Sequence, residues 1–283
     1  MKTPPRLLPL VEEGLIDEVM RQLMSGKEAT VYVVRCGDEI RCAKVYKEAN
    51  QRSFHQAVAY QEGRRVKNSR QARAMEKGTR YGRKMAEEVW QNAEVDALYR
   101  LAAAGVRVPT PFICFEGVLL MELVTGADGN AAPRLNDVAM DHAQALAMHA
   151  ALLRQVVLML CAGVIHGDLS EYNILVDAEG PVIIDLPQAV DASASSVAAS
   201  MLERDVRNLA DFFSAVAPEL AASEFGKEIW ALYEAGLLTA DSPLTGIVAA
   251  PVGEADVGAV IREIALAREE EDERQRRMAE AQG

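Results

Sequence analysis

An apolar run that ends on a carboxylate constrains this chain more than any other feature. Residues 180–185 read GPVIID, a strand pattern closed by Asp185. Burying an unpaired carboxylate costs several kcal/mol, so a chain that places one there must give it a partner or a ligand. Just upstream, His166 to Asn173 read HGDLSEYN, separated from the apolar run by the short strand NILV and the turn DAEG. Phosphoryl transfer needs a carboxylate to orient the attacking hydroxyl and oxygen ligands for Mg²⁺, because its catalysis is mostly positioning and charge neutralisation. This spacing supplies both. Asp168 fits the base-like residue, while Asn173 and Asp185 converge on a metal from two sides of a two-stranded turn.

A nucleotide-binding half should then lie upstream. Met24-Ser25-Gly26-Lys27-Glu28-Ala29-Thr30-Val31 has the spacing of the phosphate loop G-x-G-x-x-G-x-V, with Met24 and Ala29 in place of the outer glycines. It is not a Walker A loop, because Glu28 follows Gly26-Lys27 where Ser or Thr is required. Amides near Ser25 and its hydroxyl can still cradle phosphate oxygens. Lys44 shares a strand face with Cys42 and Ile40, within reach of α- and β-phosphates, and Glu94 is the natural carboxylate to hold it. Met121-Glu122-Leu123-Val124 would link the two halves, with backbone groups of Glu122 and Val124 reading adenine. The expected nucleotide-binding set is thus Ser25, Gly26, Lys27, Val31, Cys42, Lys44, Glu94, Met121, Glu122, Val124 and Asn173. Asp168 and Asp185 are the expected catalytic pair, and Asn173 with Asp185 the expected metal ligands.

Between these motifs, residues 11–24 have roughly helical apolar spacing, and 29–46 read as a hairpin around a Gly-Asp turn. A second hairpin, PFICFEGVLLMELV, follows Pro109. Asn136 to Cys161 predicts one long apolar helix, and the remainder after Asp185 is mostly helical. Ala143 to Ile165 is the most apolar stretch, but His149, Arg154 and Gln155 interrupt it, which favours a core helix over a membrane span. His166 is expected to support the catalytic-loop backbone and Asp205 to hydrogen-bond it. His55, His142 and His149 read as packing or surface residues.

Together SGKEATVY (25–32), AKVYK (43–47), HGDLSEYN, IIDLPQAVD (183–191) and LERDVRNLADFF (202–213) resemble the RIO-type atypical protein kinases, over most of residues 11–213. The lack of room before Ser25 resembles the subgroup without a winged-helix domain. The resemblance implies an α+β bilobal kinase fold with a small β-rich N-lobe, a mainly helical C-lobe and a reduced activation segment. It also implies binding of ATP with Mg²⁺, or Mn²⁺ in its place. The implied activity is serine/threonine autophosphorylation, ATP hydrolysis, or both, with a phosphoaspartate at Asp185 as one outcome. On this reading residues 1–24 form a helical extension, 25–124 the N-lobe, 125–250 the C-lobe and 251–283 a charged helical tail. No A-P-E element follows Asp185, so a peptide-docking platform is not expected. Two alternatives share these motifs. One is a nucleotide-gated ribosome or RNA–protein assembly factor that hydrolyses ATP for release. The other is a small-molecule phosphotransferase of the aminoglycoside or choline kinase type.

The formal charge of −12 argues against a surface that coats nucleic acid as a whole. Residues 61–84 go against that balance. This basic, Gly-punctuated segment carries Arg64, Arg65, Lys67, Arg70 and further cations, so part of it is expected to be mobile. It would either contact RNA or a ribosomal particle through phosphates or form a solvated loop. Four scattered cysteines make no CxxC pair, which points to a reducing, cytoplasmic compartment, and the prolines and acidic pair near the N-terminus do not form an export signal.

Overall fold

A computed structural model describes residues 2–26, 29–47 and 93–248 of the chain. The basic segment 61–84, the tail 251–283, Lys27 and His55 lie outside the described residues. Met1–Gly246 forms one compact unit, and of the second, Ile247–Gly283, only two residues are described.

The N-terminal half is an antiparallel sheet of β1 (Glu18–Ser25), β2 (Ala29–Cys36), β3 (Glu39–Tyr46), β4 (Pro111–Phe115) and β5 (Val118–Glu122), ordered β1-β2-β3-β5-β4. Both expected hairpins are present, the second turning at Glu116-Gly117, where both residues take positive φ. Alternation along β3 divides its side chains between two layers. Ala43 and Val45 pack with Val34, Val118 and Leu120 beneath α1 (Leu8–Glu12), whose Leu10 is fully buried. Cys42, Lys44 and Tyr46 face the other way, toward the helix α2 over 93–103.

The helix expected over 11–24 is not formed. Gly14 takes φ +70°, and the amides of Leu15 and Ile16 turn back to the Leu10 carbonyl, ending α1. The chain then enters β1, with Glu18 opposite Arg35 and ion-paired to it at 2.8 Å. The first strand of the sheet therefore lies where a helical extension was expected.

In the C-terminal half, α3 (His142–Cys161) is the central helix. It begins at His142 rather than Asn136 because Asp141 and Gln144 form a reciprocal capping box. Among the described residues it is the one helix long and apolar enough to cross a membrane, and it serves here as a core helix with Leu152, Val156 and Leu160 buried. Around it lie α4 (Ala198–Ser214), α5 (Phe225–Glu234) and two small antiparallel pairs. These are β6 (Val164–Ile165) with β9 (Val190–Asp191), and β7 (Ile174–Asp177) with β8 (Gly180–Ile183).

Candidate active site

The polar loop between β6 and β7 is held from below by one helix. Asp205 of α4, buried to 1% exposure, accepts from the Gly167 amide at 2.7 Å and the Leu169 amide at 3.1 Å. Burial pushes its carboxyl up despite the amides and the nearby His166 that favour the charged form. Asn208 donates to the Leu169 carbonyl at 3.0 Å, and Arg204 donates to the Gly167 carbonyl. His166 joins the loop to the strand beside it. Its Nε2 meets the Ile184 carbonyl at 3.1 Å, so that nitrogen is the donor, and Nδ1 accepts from the Asp168 amide at 3.3 Å. Held this way, the loop leaves the Asp168 carboxylate exposed, with no hydrogen-bond partner among the described residues.

Asn173 closes the same loop by donating Nδ2 to the Asp168 carbonyl at 2.8 Å, which leaves its amide oxygen as an acceptor. Its own carbonyl accepts from the Ile184 amide at 3.0 Å, setting Asn173 beside Asp185 across the β7–β8 pair. Asp185 has φ +66°, a left-handed conformation that costs a non-glycine residue on the order of 1 kcal/mol. That backbone turn brings the carboxylate to Lys44 of the opposite lobe, Nζ to Oδ1 2.8 Å. Lys44 also bonds Glu94 of α2 at 2.5 Å. Lys44 and Glu94 are both buried, whereas the Asp185 side chain remains 45% exposed. Burial alone would push the Lys44 amine down, but the Glu94 and Asp185 carboxylates outweigh it and hold the ammonium form. Burial likewise raises the Asp185 carboxyl, and the Lys44 charge and hydrogen bond overcome this, with smaller help from His166 and Arg134.

Above this triad, apolar side chains of Leu119, Met121, Ile184 and Leu186 line a small cavity that reaches Lys44. A cation at the end of an apolar slot, with two oxygen donors and an open carboxylate on the far side, can hold a nucleotide base, its phosphates and a phosphoacceptor in line. Among the described residues no three His, Cys, Asp or Glu side chains cluster as a metal centre. The Asp185 carboxylate and the Asn173 amide oxygen are nevertheless the hard donors that Mg²⁺ takes when substrate phosphates complete its shell.

A family model for the RIO domain matches residues 30–225. The chain belongs to the RIO family. The RIO-type serine/threonine-protein kinase Rio1 of Haloferax volcanii is 36% identical over 207 residues, 72% of this chain and 66% of that protein. Human serine/threonine-protein kinase RIO1 is 31% identical over 209 residues, 73% of this chain but 35% of the human protein. The chain therefore spans less than two thirds of either relative. Among solved structures, the Rio2 kinase–ADP/Mg²⁺–phosphoaspartate complex from Chaetomium thermophilum aligns with TM-score 0.52 at 21% identity, covering 83% of this chain and 70% of that one. That likeness establishes the bilobal kinase fold.

Within this RIO fold the sequence-predicted residues fall into groups. Lys44, Glu94, Asp168, Asn173 and Asp185 come together as described. Met24, Val31 and Lys44 stand in register across β1, β2 and β3, so the phosphate-loop strands share a face with the lysine. Ser25 and Gly26 begin the turn. The Ser25 hydroxyl lies 3.3 Å from that of Thr30, and the Gly26 amide donates to the Ala29 carbonyl at 2.9 Å. Cys42 is buried behind Lys44, and desolvation pushes its thiol up to about 12, so it is an inert wall residue. The Glu122 side chain turns outward to accept from the Thr110 amide and hydroxyl at 3.0 and 2.9 Å. The Val124 carbonyl accepts from Ala132, while its amide has no partner among the described residues.

Two cations near the cleft were not among the expected site residues, although Lys47 closes the AKVYK motif. Lys47 donates to the Ser25 hydroxyl at 3.1 Å and the Gly26 carbonyl at 2.5 Å, bracing the turn that begins there in this RIO domain. Arg134, from the segment that follows the inter-lobe link, places Nη2 3.0 Å from the Met24 sulfur. Lys47 could have been found from its place just past β3, but nothing local marks Arg134.

Proposed function

We propose that this RIO protein is an ATP-dependent serine/threonine kinase that also turns over ATP on itself. The observation that carries the reading is Lys44 bridging Glu94 and Asp185 at 2.5 and 2.8 Å, with the Asp168 carboxylate left open. In this reading the apolar slot takes adenine, with the Val124 amide and Glu122 carbonyl as its backbone partners. Lys44, kept charged by its two carboxylates, holds the α- and β-phosphates. Ser25 and the amides of the turn cover the phosphates from above. Asp185 and Asn173 would hold Mg²⁺, which supplies charge neutralisation when bound, and the same donors accept Mn²⁺. Asp168 orients the acceptor hydroxyl and takes its proton as the new phosphorus–oxygen bond forms and ADP leaves.

The test is incubation of the purified protein with Mg²⁺ and γ-labelled ATP, wild type beside Asp168→Ala, following bound label and free phosphate separately. Acid-stable label on protein, lost in the variant, supports the kinase reading. Neither label nor phosphate from the wild type overturns it.

A phosphoenzyme is a second reading, and the exposed carboxylate of Asp185 favours it. One oxygen is held by Lys44, and the other is open to attack the γ-phosphorus as ADP departs. The relative from Chaetomium thermophilum was solved as a phosphoaspartate complex. Label that is lost to hydroxylamine and absent from Asp185→Asn supports this form, and with it a nucleotide-gated assembly role. A ribosomal or RNA partner would engage the basic segment 61–84, and gel shifts with structured RNA before and after neutralising those residues test it. All four cysteines are free, which supports a reducing cytoplasmic setting.

A further inference from the structure

Among the described residues Arg134, like the exposed Arg21 of β1, has no carboxylate partner. Arg35, Arg41, Arg100, Arg107, Arg154 and Arg207 each pair with Asp or Glu in this acidic chain. The Arg134 guanidinium instead rests on the Met24 thioether at 3.0 Å, a weak acceptor for a group with five N–H donors. Its backbone is firmly placed. The neighbouring Pro133 carbonyl accepts from Val176 at 2.9 Å, the Arg134 carbonyl accepts from Asp137 at 3.0 Å, and Arg134 bridges to Leu175, two residues past Asn173. The side chain thus starts beside the Asn173 end of the cleft and ends at Met24, the β1 residue just before the Ser25–Gly26 turn. Met24 is in register with Val31 and Val31 with Lys44, so this guanidinium lies on the Lys44 face of the sheet, about two strand spacings, ~10 Å, from that strand. The field of Arg134 also reaches Asp185. A polyphosphate laid from Lys44 along the turn would run into it.

We propose that Arg134 is a binding residue for the terminal phosphates of a bound nucleoside triphosphate, exchanging the Met24 thioether for phosphate oxygens. The proposal rests on the reading of the cleft as an ATP site. Guanidinium–phosphate pairs are bidentate and charge-assisted, whereas the sulfur contact is neither, so the exchange is favourable. Arg134 would then report the phosphate chain and ignore the nucleoside.

Calorimetric titration of the full chain with a non-hydrolysable ATP analogue and with adenosine, both in Mg²⁺, tests this on wild type, Arg134→Gln and Arg134→Lys. Arg134→Gln should weaken the triphosphate analogue about tenfold or more and leave adenosine within twofold. Arg134→Lys should recover part of that loss. Triphosphate binding unchanged in Arg134→Gln overturns the proposal and leaves the ATP site standing, and equal weakening of both ligands overturns it by showing a merely structural role. A wild type that binds neither ligand removes the ATP reading itself, and the proposal with it.

Discussion

For Lys44 and Glu94, what the buried ion pair does for the proposed ATP chemistry can be separated from what it does for stability. Lys44→Met leaves the Glu94 carboxylate, 4% exposed, without its cation. Breaking such a pair costs about 3–5 kcal/mol, while replacing both members with apolar groups is often neutral. Urea denaturation should therefore show Lys44→Met strongly destabilised and Lys44→Met/Glu94→Leu restored toward wild type, with ATP turnover absent from both. His149 provides a separate test at this scale. It is 2% exposed, its ring packs edge-on to Phe213 with centroids 5.6 Å apart, and desolvation lowers its pKa from 6.5 to about 4. The unfolded chain binds a proton below pH 6.5 and the folded one does not until about pH 4, so stability falls as pH drops through that window. The loss attributable to this ring approaches roughly 3 kcal/mol at the acid end. Thermal melts of His149→Phe should show a flatter decline between pH 6.5 and 4 than wild type.

At the scale of elements, α5 approaches α4 more closely than side chains would permit. A Cβ on Gly226 would lie 2.9 Å from the Glu203 Cα, a backbone atom that cannot step aside. Gly226→Ala should therefore destabilise by roughly 1–3 kcal/mol in urea, although alanine would gain about 1 kcal/mol in an open helix. The strands β2 through β5 were legible because apolar alternation and turn residues agree there. β1 was not. It is an edge strand with only Val19 buried, so it shows no two-residue period, and the apolar residues of α1 extend a false helical spacing into it. The start of α3 could have been read from the Asp141-x-x-Gln144 box, but apolar residues upstream drew the boundary too early. For the candidate site, the convergence of Asp168, Asn173, Asp185, Lys44 and Glu94 could be anticipated because the phosphoryl-transfer pattern prescribes residue types in a set order along the chain. Arg134 is not, because its position arises from a tertiary bridge to Leu175 that leaves no local signature.

Across the whole molecule, the lobes meet at the cleft through the Lys44–Asp185 contact at 2.8 Å. A ligand that bridges the same two lobes and binds only the folded chain must raise its stability. At a hundredfold excess over Kd the gain is ~2.7 kcal/mol. Differential scanning fluorimetry with Mg²⁺ and a non-hydrolysable ATP analogue should therefore raise Tm by several degrees, and Lys44→Met/Glu94→Leu should lose most of that shift. The staple that Asp205 places under the loop carrying Asp168 has a different consequence. Gly167 and Leu169 belong to a segment with no regular secondary structure, yet their amides donate to a buried carboxylate on a core helix. Such amides are released to solvent only when the helix itself lets go. In a deuterium-exchange experiment the peptide spanning them should label as slowly as α4, on the timescale of global opening. The loop that carries Asp168 would then be among the slowest parts of the protein to yield its protons.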